Sequence, residues 1–114
     1  MASNTIKTEY VKAKGANRWL QVQLYYSLGG INYFTYKTEA RGYYVSVTPV
    51  ERSPLNGGGY MIGFTAFSGV KRCVVECKRR GGKAEQEALR VYDAHKAELL
   101  ALFADQIDKE AEVA

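Results

Sequence analysis

The sequence predicts an α+β fold, with a four- or five-stranded antiparallel curved sheet followed by one short and one long C-terminal helix. Three observations predict it. Much of the stretch 19–67 alternates apolar and polar side chains with a period of two, which is typical of strands that bury one face. Clusters of glycine and proline interrupt this alternation where hairpins are expected. From residue 83 onward the sequence contains neither Pro nor Gly, and apolar residues recur at helical spacing.

The stretch 41–50 is predicted to be the central strand, because its alternation lies between clear stops at both ends. Pro49 is expected to end this strand or to confine it to an edge. The side chains expected on the core side are Tyr43, Val45 and Val47. The side chains expected on the outer side are Tyr44, Ser46 and Thr48. One face of the sheet would then cover a core, and the other would be free to meet a ligand.

Residues 19–27 repeat the same division between a core side and an outer side. The core side would carry Leu20, Val22, Leu24 and Tyr26, and the outer side Trp19, Gln21, Gln23 and Tyr25. Gly29 and Gly30 supply the backbone freedom for a hairpin. A further strand is predicted over 32–38, where aromatic and β-branched residues are frequent. Its inward pair would be Phe34 and Tyr36, and its outward residues Tyr33, Thr35 and Lys37.

The remaining strand assignments concern the two ends of the sheet. Residues 5–14 are predicted to form an edge strand or a mobile basic arm. The segment 52–59 contains Pro54 and three consecutive glycines, and it is expected to be a loop. Residues 60–67 alternate again and are predicted to be the fourth strand of the sheet, counted from the strand at 19–27.

Two helices are predicted after the strands. Ser68 is a plausible N-cap for a short helix, whose apolar positions are Val70, Cys73, Val74 and Cys77. The basic run 78–80 and the two glycines after it would end this helix. A second helix starting at Lys83 would reach roughly 40 Å, which is longer than one small sheet can cover. We therefore expect a homodimer in which the C-terminal helices of two copies bury the overhang.

At 114 residues the chain fits a single domain. Within residues 1–114 we assign 1–17 to the possible edge strand or basic arm, 19–67 to the antiparallel sheet and 68–112 to the helical part. No apolar run approaches the roughly 20 residues that cross a bilayer, and the N-terminus lacks the pattern of a signal peptide. We expect no membrane partner and a cytoplasmic location.

Charge is divided unevenly along the chain. Residues 1–83 contain 13 Lys and Arg against 4 Glu, whereas residues 84–114 contain 3 basic and 8 acidic residues. A basic surface would therefore belong to the first part of the chain, residues 1–83. This segregation favours a polyanionic partner, although a basic part balanced by an acidic helix is also compatible with self-association.

The sequence contains no convincing catalytic or metal-binding group. Cys73 and Cys77 are expected to be reduced cysteines packed in the core, since a helix would hold them unsuitably for a disulfide. Structural zinc needs four ligands, and the single histidine, His95, lies in a different predicted helix. No acid, base and nucleophile can be grouped from their spacing. An enzyme is therefore the less favoured class, and we expect no cofactor.

Aromatic and basic residues are combined on the predicted outer face. The chain has nine Tyr, four Phe and one Trp. Trp19, Tyr25, Tyr33 and Tyr44 would face outward near Lys37, Arg41 and Arg52. Exposed rings beside cations suit single-stranded nucleic acid, because bases stack on the rings while Lys and Arg contact phosphates. The alternative is that several of these tyrosines cover the rim of the core with their hydroxyls in water.

A family resemblance supports the same interpretation. The run 41–47, followed by a loop and by residues 60–67 leading into a helix at Ser68, is similar to the latter half of a repeat found in several single-strand binders. These are the positive cofactor four coactivator domain, the plant Whirly proteins and the purine-rich-element-binding repeat. The resemblance covers about residues 19–80. It implies a curved sheet, a homodimer built through helices, and single-stranded nucleic acid bound on the strands.

The resulting hypothesis is a dimer that binds single-stranded DNA, with RNA as the second choice, and has little sequence preference. Stacking would involve Trp19, Tyr25, Tyr33 and Tyr44, and phosphate contacts would involve Lys37, Arg41 and Arg52. It predicts that Tyr33→Ala and Tyr44→Ala weaken binding and leave the fold intact. The chain would serve transcription, replication or a mobile element. The alternative is a protein-protein interaction module, such as a phage or plasmid accessory protein, without nucleic-acid binding.

Overall fold

A computed structural model describes residues 4–32, 36–54, 60–64 and 69–108. These residues form strands, one α-helix and a short 3₁₀ turn, so the α+β class is confirmed. The elements are β1 (Thr5–Lys12), β2 (Arg18–Ser27), β3 (Gly30–Asn32), β4 (Lys37–Glu39), β5 (Gly42–Pro54), β6 (Tyr60–Phe64), β7 (Val70–Glu76), α1 (Gly82–Ala101) and the 3₁₀ turn (Ala104–Gln106).

The main sheet is antiparallel, with strand order β1-β2-β5-β6 and with β7 also paired to β5. β6 pairs with residues 50–54 of β5, whereas β7 pairs with residues 42–47 of the same strand. β6 and β7 therefore follow one another along β5 and together act as a single interrupted fourth strand. The predicted antiparallel arrangement is confirmed, and α1 follows its last strand.

The core lies between the sheet and α1. The inward residues predicted for the two central strands are confirmed, because Leu20, Val22, Leu24, Tyr43, Val45 and Val47 are all 0% exposed. From the helical side they meet Ala88, Tyr92, Leu99 and Phe103. This apolar layer lies on the side of the sheet that faces α1, and α1 does not cover the opposite side.

The short helix predicted over 68–80 is wrong, since residues 70–76 form β7. The error has a structural cause. The β5–β7 register shifts between Tyr43 and Tyr44, so that one extra residue enters β7 there. A bulge of this kind breaks the period of two. Val70, Val74 and Cys77 consequently all pack against the core at a spacing that imitates a helix.

The long helix is shorter than the sequence predicted. α1 has 20 residues, which corresponds to about 30 Å. After Ala101 the chain folds back onto the sheet, Phe103 is buried, and Ile107 forms an antiparallel bridge with Ala13. The described part of the chain therefore has no helical overhang, and the physical reason for a dimer built through C-terminal helices is lost.

The described ends of the segment 32–38 do not join the main sheet. β2 pairs directly with β5, while β3 and β4 pair only with each other in a separate hairpin. Tyr36, which was expected to point inward, is 83% exposed and has a φ of 56°. The base of this hairpin requires a glycine at position 29. A Cβ added there would lie only 2.7 Å from the Glu39 carbonyl oxygen, so a larger residue would push the hairpin away from β4. Tyr33, Phe34 and Thr35 lie outside the described residues.

The ends of the central strands differ in smaller ways. β5 continues through Pro49 to Pro54, so the expected end at Pro49 and the expected loop at 52–54 are wrong. Thr48 and Pro49 fall between the parts of β5 that pair with β7 and with β6. β1 is an edge strand of the main sheet, as one of the two alternatives predicted. Residues 55–59 and Ser68 lie outside the described residues.

In the part of the chain that the structure describes, no helix combines the length and apolar character needed to span a bilayer.

Candidate nucleic-acid interface

The side of the main sheet opposite α1 is called here the helix-free face. Its residues are identified by strand register, since residues directly opposite each other on antiparallel strands point to the same side. They come from β1, β2, β5 and β7. Among the described side chains, the helix-free face carries Thr8, Tyr10, Lys12, Trp19, Gln21, Gln23, Tyr25, Tyr44, Ser46, Thr48, Val50, Arg52, Lys71 and Cys73.

At one end of the helix-free face, cations lie against aromatic rings. The Arg52 guanidinium is 4.0 Å from the centre of the Tyr10 ring and 5.1 Å from that of Trp19. The Lys12 ammonium is 5.4 Å from the Trp19 ring and donates to the Ala13 and Gly15 carbonyl oxygens at 2.6 and 2.9 Å. Such contacts contribute about 0.5–2 kcal/mol depending on their solvation. Tyr10, Lys12, Trp19 and Arg52 are half-buried, so part of each remains accessible.

The middle of the helix-free face is polar. The Gln21 amide donates to the Tyr10 hydroxyl at 3.0 Å, and the Gln23 amide donates to the Thr8 hydroxyl at 3.4 Å. Gln21 is only 7% exposed and Ser46 9%. Hydrogen bonds across β1 and β2 therefore hold these amides in place, and Gln23 is the more accessible of the two.

At the other end, Tyr25 stacks on Tyr44 with ring centres 5.8 Å apart and planes at 17°. The Tyr44 hydroxyl donates to the Ala40 carbonyl oxygen at 2.6 Å. The Lys71 ammonium lies 5.7 Å from the Tyr44 ring and forms a 2.6 Å ion pair with Glu39. Tyr44 is therefore on the predicted side of the sheet but only 5% exposed. Its predicted role as a base-stacking ring is corrected, because its ring is already covered by its neighbours.

The titratable groups of this end have raised pKa values. Burial raises the pKa of Tyr25 to about 12 and that of Tyr44 to about 12, and the nearby Glu39 carboxylate adds to both shifts. Burial also raises the pKa of the Cys73 thiol, against the opposing hydrogen bond with Tyr44. All three groups are consequently protonated at neutral pH, and Cys73 is not an activated nucleophile.

Other chemistry-bearing residues have structural partners. Cys73 and Cys77 are free, and the bulge in β7 places them on opposite sides of the sheet, not on one helical face. His95 lies on α1 with its Nδ1 atom 3.3 Å from the Arg72 guanidinium. Within the described ranges, no three His, Cys, Asp or Glu side chains cluster as a metal site would require.

The remaining predicted site residues lie at the hairpin end of the sheet. The Arg41 guanidinium donates to the Leu28 and Lys78 carbonyl oxygens at 3.3 and 3.2 Å, which ties the hairpin to the turn after β7. Lys37 is exposed on β4 and so belongs to the hairpin. Tyr33 lies outside the described residues. Of the seven predicted residues, the structure thus brings Trp19, Tyr25, Tyr44 and Arg52 together on the helix-free face.

Three further residues of this face were missed by sequence reasoning. Tyr10 and Lys12 belong to β1, where alternation is weak, although Thr8, Tyr10 and Lys12 do recur with a period of two. Lys71 was assigned to a helix and lies instead on β7 opposite Ser46. The signal in β1 was present in the sequence, whereas the position of Lys71 depends on the strand pairing.

No known family, curated protein or solved structure matches this chain. The interpretation of the helix-free face therefore depends on its own geometry.

Proposed function

We propose that this chain binds single-stranded nucleic acid, DNA in preference to RNA, with little sequence specificity on the helix-free face. The observation that carries the proposal is the cluster of Tyr10, Lys12, Trp19 and Arg52, in which half-buried rings alternate with cations. Bases can stack on any accessible ring, contributing roughly 1–3 kcal/mol each, and cations beside the rings meet the phosphates.

The structure changes which residues the proposal assigns to each task. Trp19, Tyr10 and Tyr25 would stack bases, and Lys12, Arg52 and Lys71 would contact phosphates. Tyr44 would support Tyr25 from behind without touching the ligand. Trp19 and Tyr25 are about 20 Å apart along β2 at the usual rise per residue. The Gln23 amide lies between them, where it could form hydrogen bonds that do not depend on base identity.

The chemistry of the helix-free face supports this proposal over an enzymatic function. The resemblance to single-strand binders does not add support, because residues 70–76 form a strand where it implies a helix and the separate β3–β4 hairpin comes between β2 and β5. The phenols of Tyr25 and Tyr44 and the thiol of Cys73 are protonated at neutral pH, and the Glu39 carboxylate is engaged by Lys71, so none of these four groups is placed to act as a general base. The process served would be transcription, replication or the maintenance of a mobile element.

A fluorescence-anisotropy titration with a labelled single-stranded oligonucleotide tests the proposal. Trp19→Ala should weaken binding by roughly 1–3 kcal/mol because it removes a stacking ring. Arg52→Ala should weaken binding and also reduce the dependence of log Kd on log salt, because one fewer phosphate is neutralised. Arg90→Ala removes a charge from the outer side of α1, where Arg90 pairs with Glu87, and should leave both quantities unchanged.

The alternative of a protein-protein interaction module is favoured by a different observation, the exposed apolar side chains of the β3–β4 hairpin. A partner protein held mainly by those side chains would respond weakly to salt, whereas nucleic-acid binding falls steeply as salt rises. The absence of oligonucleotide binding at low salt would contradict the proposed function.

A further inference from the structure

A cavity of about 450 Å³ lies at the end of the main sheet where β2 begins. Arg18 of β2 and Glu51 of β5 are opposite each other on one wall. The segment after β1 and the 3₁₀ turn form another wall, where the Lys14 amide donates to the Gln106 carbonyl oxygen at 2.8 Å. Pro49 adds apolar surface. A volume of this size falls within the range of small-molecule sites and accommodates one nucleotide.

The cavity adjoins the helix-free face. Trp19 lines the cavity and also belongs to the cluster of rings and cations on that face. Glu51 of the cavity directly precedes Arg52, whose guanidinium is 5.1 Å from the centre of the Trp19 ring. A single strand that stacks a base on Trp19 would therefore bring a neighbouring nucleotide to the cavity.

The charged lining of the cavity is balanced. Lys14 and Arg18 contribute cations. Glu51 and Asp105 contribute carboxylates, and all four residues are exposed. Among the described residues, no ion pair joins either of these cations to either carboxylate. A simple anion would meet the two carboxylates and a metal ion the two cations, so the lining fits a neutral group with hydrogen-bond acceptors on one edge and donors on another.

Guanine is the base that presents both kinds of edge. Its O6 and N7 atoms accept hydrogen bonds from Arg or Lys, and proteins read these edges in unpaired bases. Its N1–H and its amino group are adjacent donors, which match the two oxygens of one carboxylate. Adenine and cytosine carry one amino group beside a ring acceptor, and thymine carries one N–H between two carbonyl groups. Guanine therefore complements the balanced lining better than the other three bases.

We infer that the cavity holds one guanine of the bound single strand, with the donors of the base toward the carboxylates and its O6 and N7 acceptors toward the cations. The inference rests on the proposed function and adds to it a preference at a single nucleotide. Bases elsewhere on the helix-free face remain unselected, because the rings there stack on any base. Since the cavity lies at one end of β2, the selected guanine should lie toward one end of the bound segment.

Fluorescence anisotropy with a set of labelled single strands tests the inference. One strand contains only thymine, and the others carry a single guanine, adenine or cytosine at each position in turn. The wild type should bind the all-thymine strand, and guanine at one position near one end should lower Kd by about tenfold, the discrimination that one good bidentate contact gives. Hypoxanthine at that position should lose most of the gain, because it lacks the amino group. The analogue 7-deazaguanine should lose a smaller part, because it lacks only the N7 acceptor.

The double variant Glu51→Gln with Asp105→Asn removes both carboxylates and keeps the size of the side chains. It should bind the guanine strand no more tightly than the all-thymine strand. The matched control, Glu87→Gln with Asp93→Asn, makes the same change in net charge at exposed residues of α1 and should keep the full guanine preference. Comparison of the two double variants separates the cavity from a general effect of charge on phosphate binding.

The possible failures are distinguishable. If the wild type binds every strand with equal affinity, the proposed function stands and the guanine inference is overturned. A guanine preference that survives the cavity double variant would overturn the inference as well, and so would a preference for adenine or cytosine at that position. If no strand binds at low salt, the proposed function itself is contradicted and the inference falls with it.

Discussion

The two faces of the β2–β5 pair bury neighbouring residues by different means. On the core side, Leu24 and Val45 are opposite each other and are covered by apolar side chains from α1. On the helix-free face, the next pair is Gln23 and Ser46, and the rings nearby are covered by Lys and Arg. The same alternation thus produces one face that is sealed by the hydrophobic effect and another whose rings are covered by charged side chains.

Substitution of adjacent residues on β2 measures this difference in free energy of unfolding. Leu24→Ala should lower it by roughly 2–5 kcal/mol, because Leu24 is fully buried and its removal leaves a cavity. Gln23→Ala should lower it by about 1 kcal/mol or less, since it loses one hydrogen bond to Thr8. Urea denaturation of both variants provides the measurement. Equal losses would contradict the assignment of the two faces.

Tyr44→Ala should also destabilise the fold, by roughly 2 kcal/mol, because its ring is buried on the helix-free face. This result replaces the expectation, made from sequence, that the substitution leaves the fold intact. Thermal unfolding followed by circular dichroism would measure it. Tyr25→Ala is the matched comparison, because Tyr25 is the more exposed ring of the stacked pair and should cost less. An unchanged midpoint for Tyr44→Ala would show that the ring is not packed.

Alkaline pH should affect the helix-free face through the same two rings. The pKa values of Tyr25 and Tyr44 are raised from 10.0 to about 12 in the fold. Their contribution to stability is therefore complete below the unfolded value of 10.0 and is lost as pH rises through the folded value. The double variant Tyr25→Phe and Tyr44→Phe should lose less stability across this range than the wild type. Identical alkaline profiles would contradict the proposed burial.

Acidic pH should produce a smaller effect on the side facing α1. The ion pair with Lys96 lowers the pKa of Glu9 below its usual 4.5. The stabilisation is present above the unfolded pKa and is lost as pH falls through the folded one. Lys96→Met should therefore flatten the decrease in stability on the acidic side. Arg90→Met removes the partner that lowers the pKa of the exposed Glu87, and it should flatten the decrease less because solvent screens that pair.

Local alternation was sufficient to predict the inward and outward residues of β2 and β5. It failed at β7, because the bulge opposite Tyr43 and Tyr44 is a property of strand pairing and leaves no mark on the sequence of β7 alone. The burial of Tyr44 was not predictable for a related reason. It depends on Lys71, which lies 5.7 Å from the ring and forms an ion pair with Glu39 on another strand.

The end of α1 was missed because the sequence beyond Ala101 keeps good helix formers and contains no glycine or proline. The chain ends the helix there because Phe103 and Ile107 gain contacts with the core and with Ala13, which directly follows β1. This tertiary effect outweighs local propensity. It also removed the overhang on which the expected helix-to-helix dimer depended.

The central claim is that unpaired bases stack at the ring cluster of the helix-free face, and Trp19 reports on it directly because it is the only tryptophan in the chain. The measurement is Trp19 fluorescence during titration with single-stranded and duplex oligonucleotides of the same sequence at low salt. We predict saturable quenching by the single strand, a much weaker response to the duplex, and loss of the quenching as salt rises. Unchanged fluorescence with both probes, or equal quenching by both, would contradict the claim.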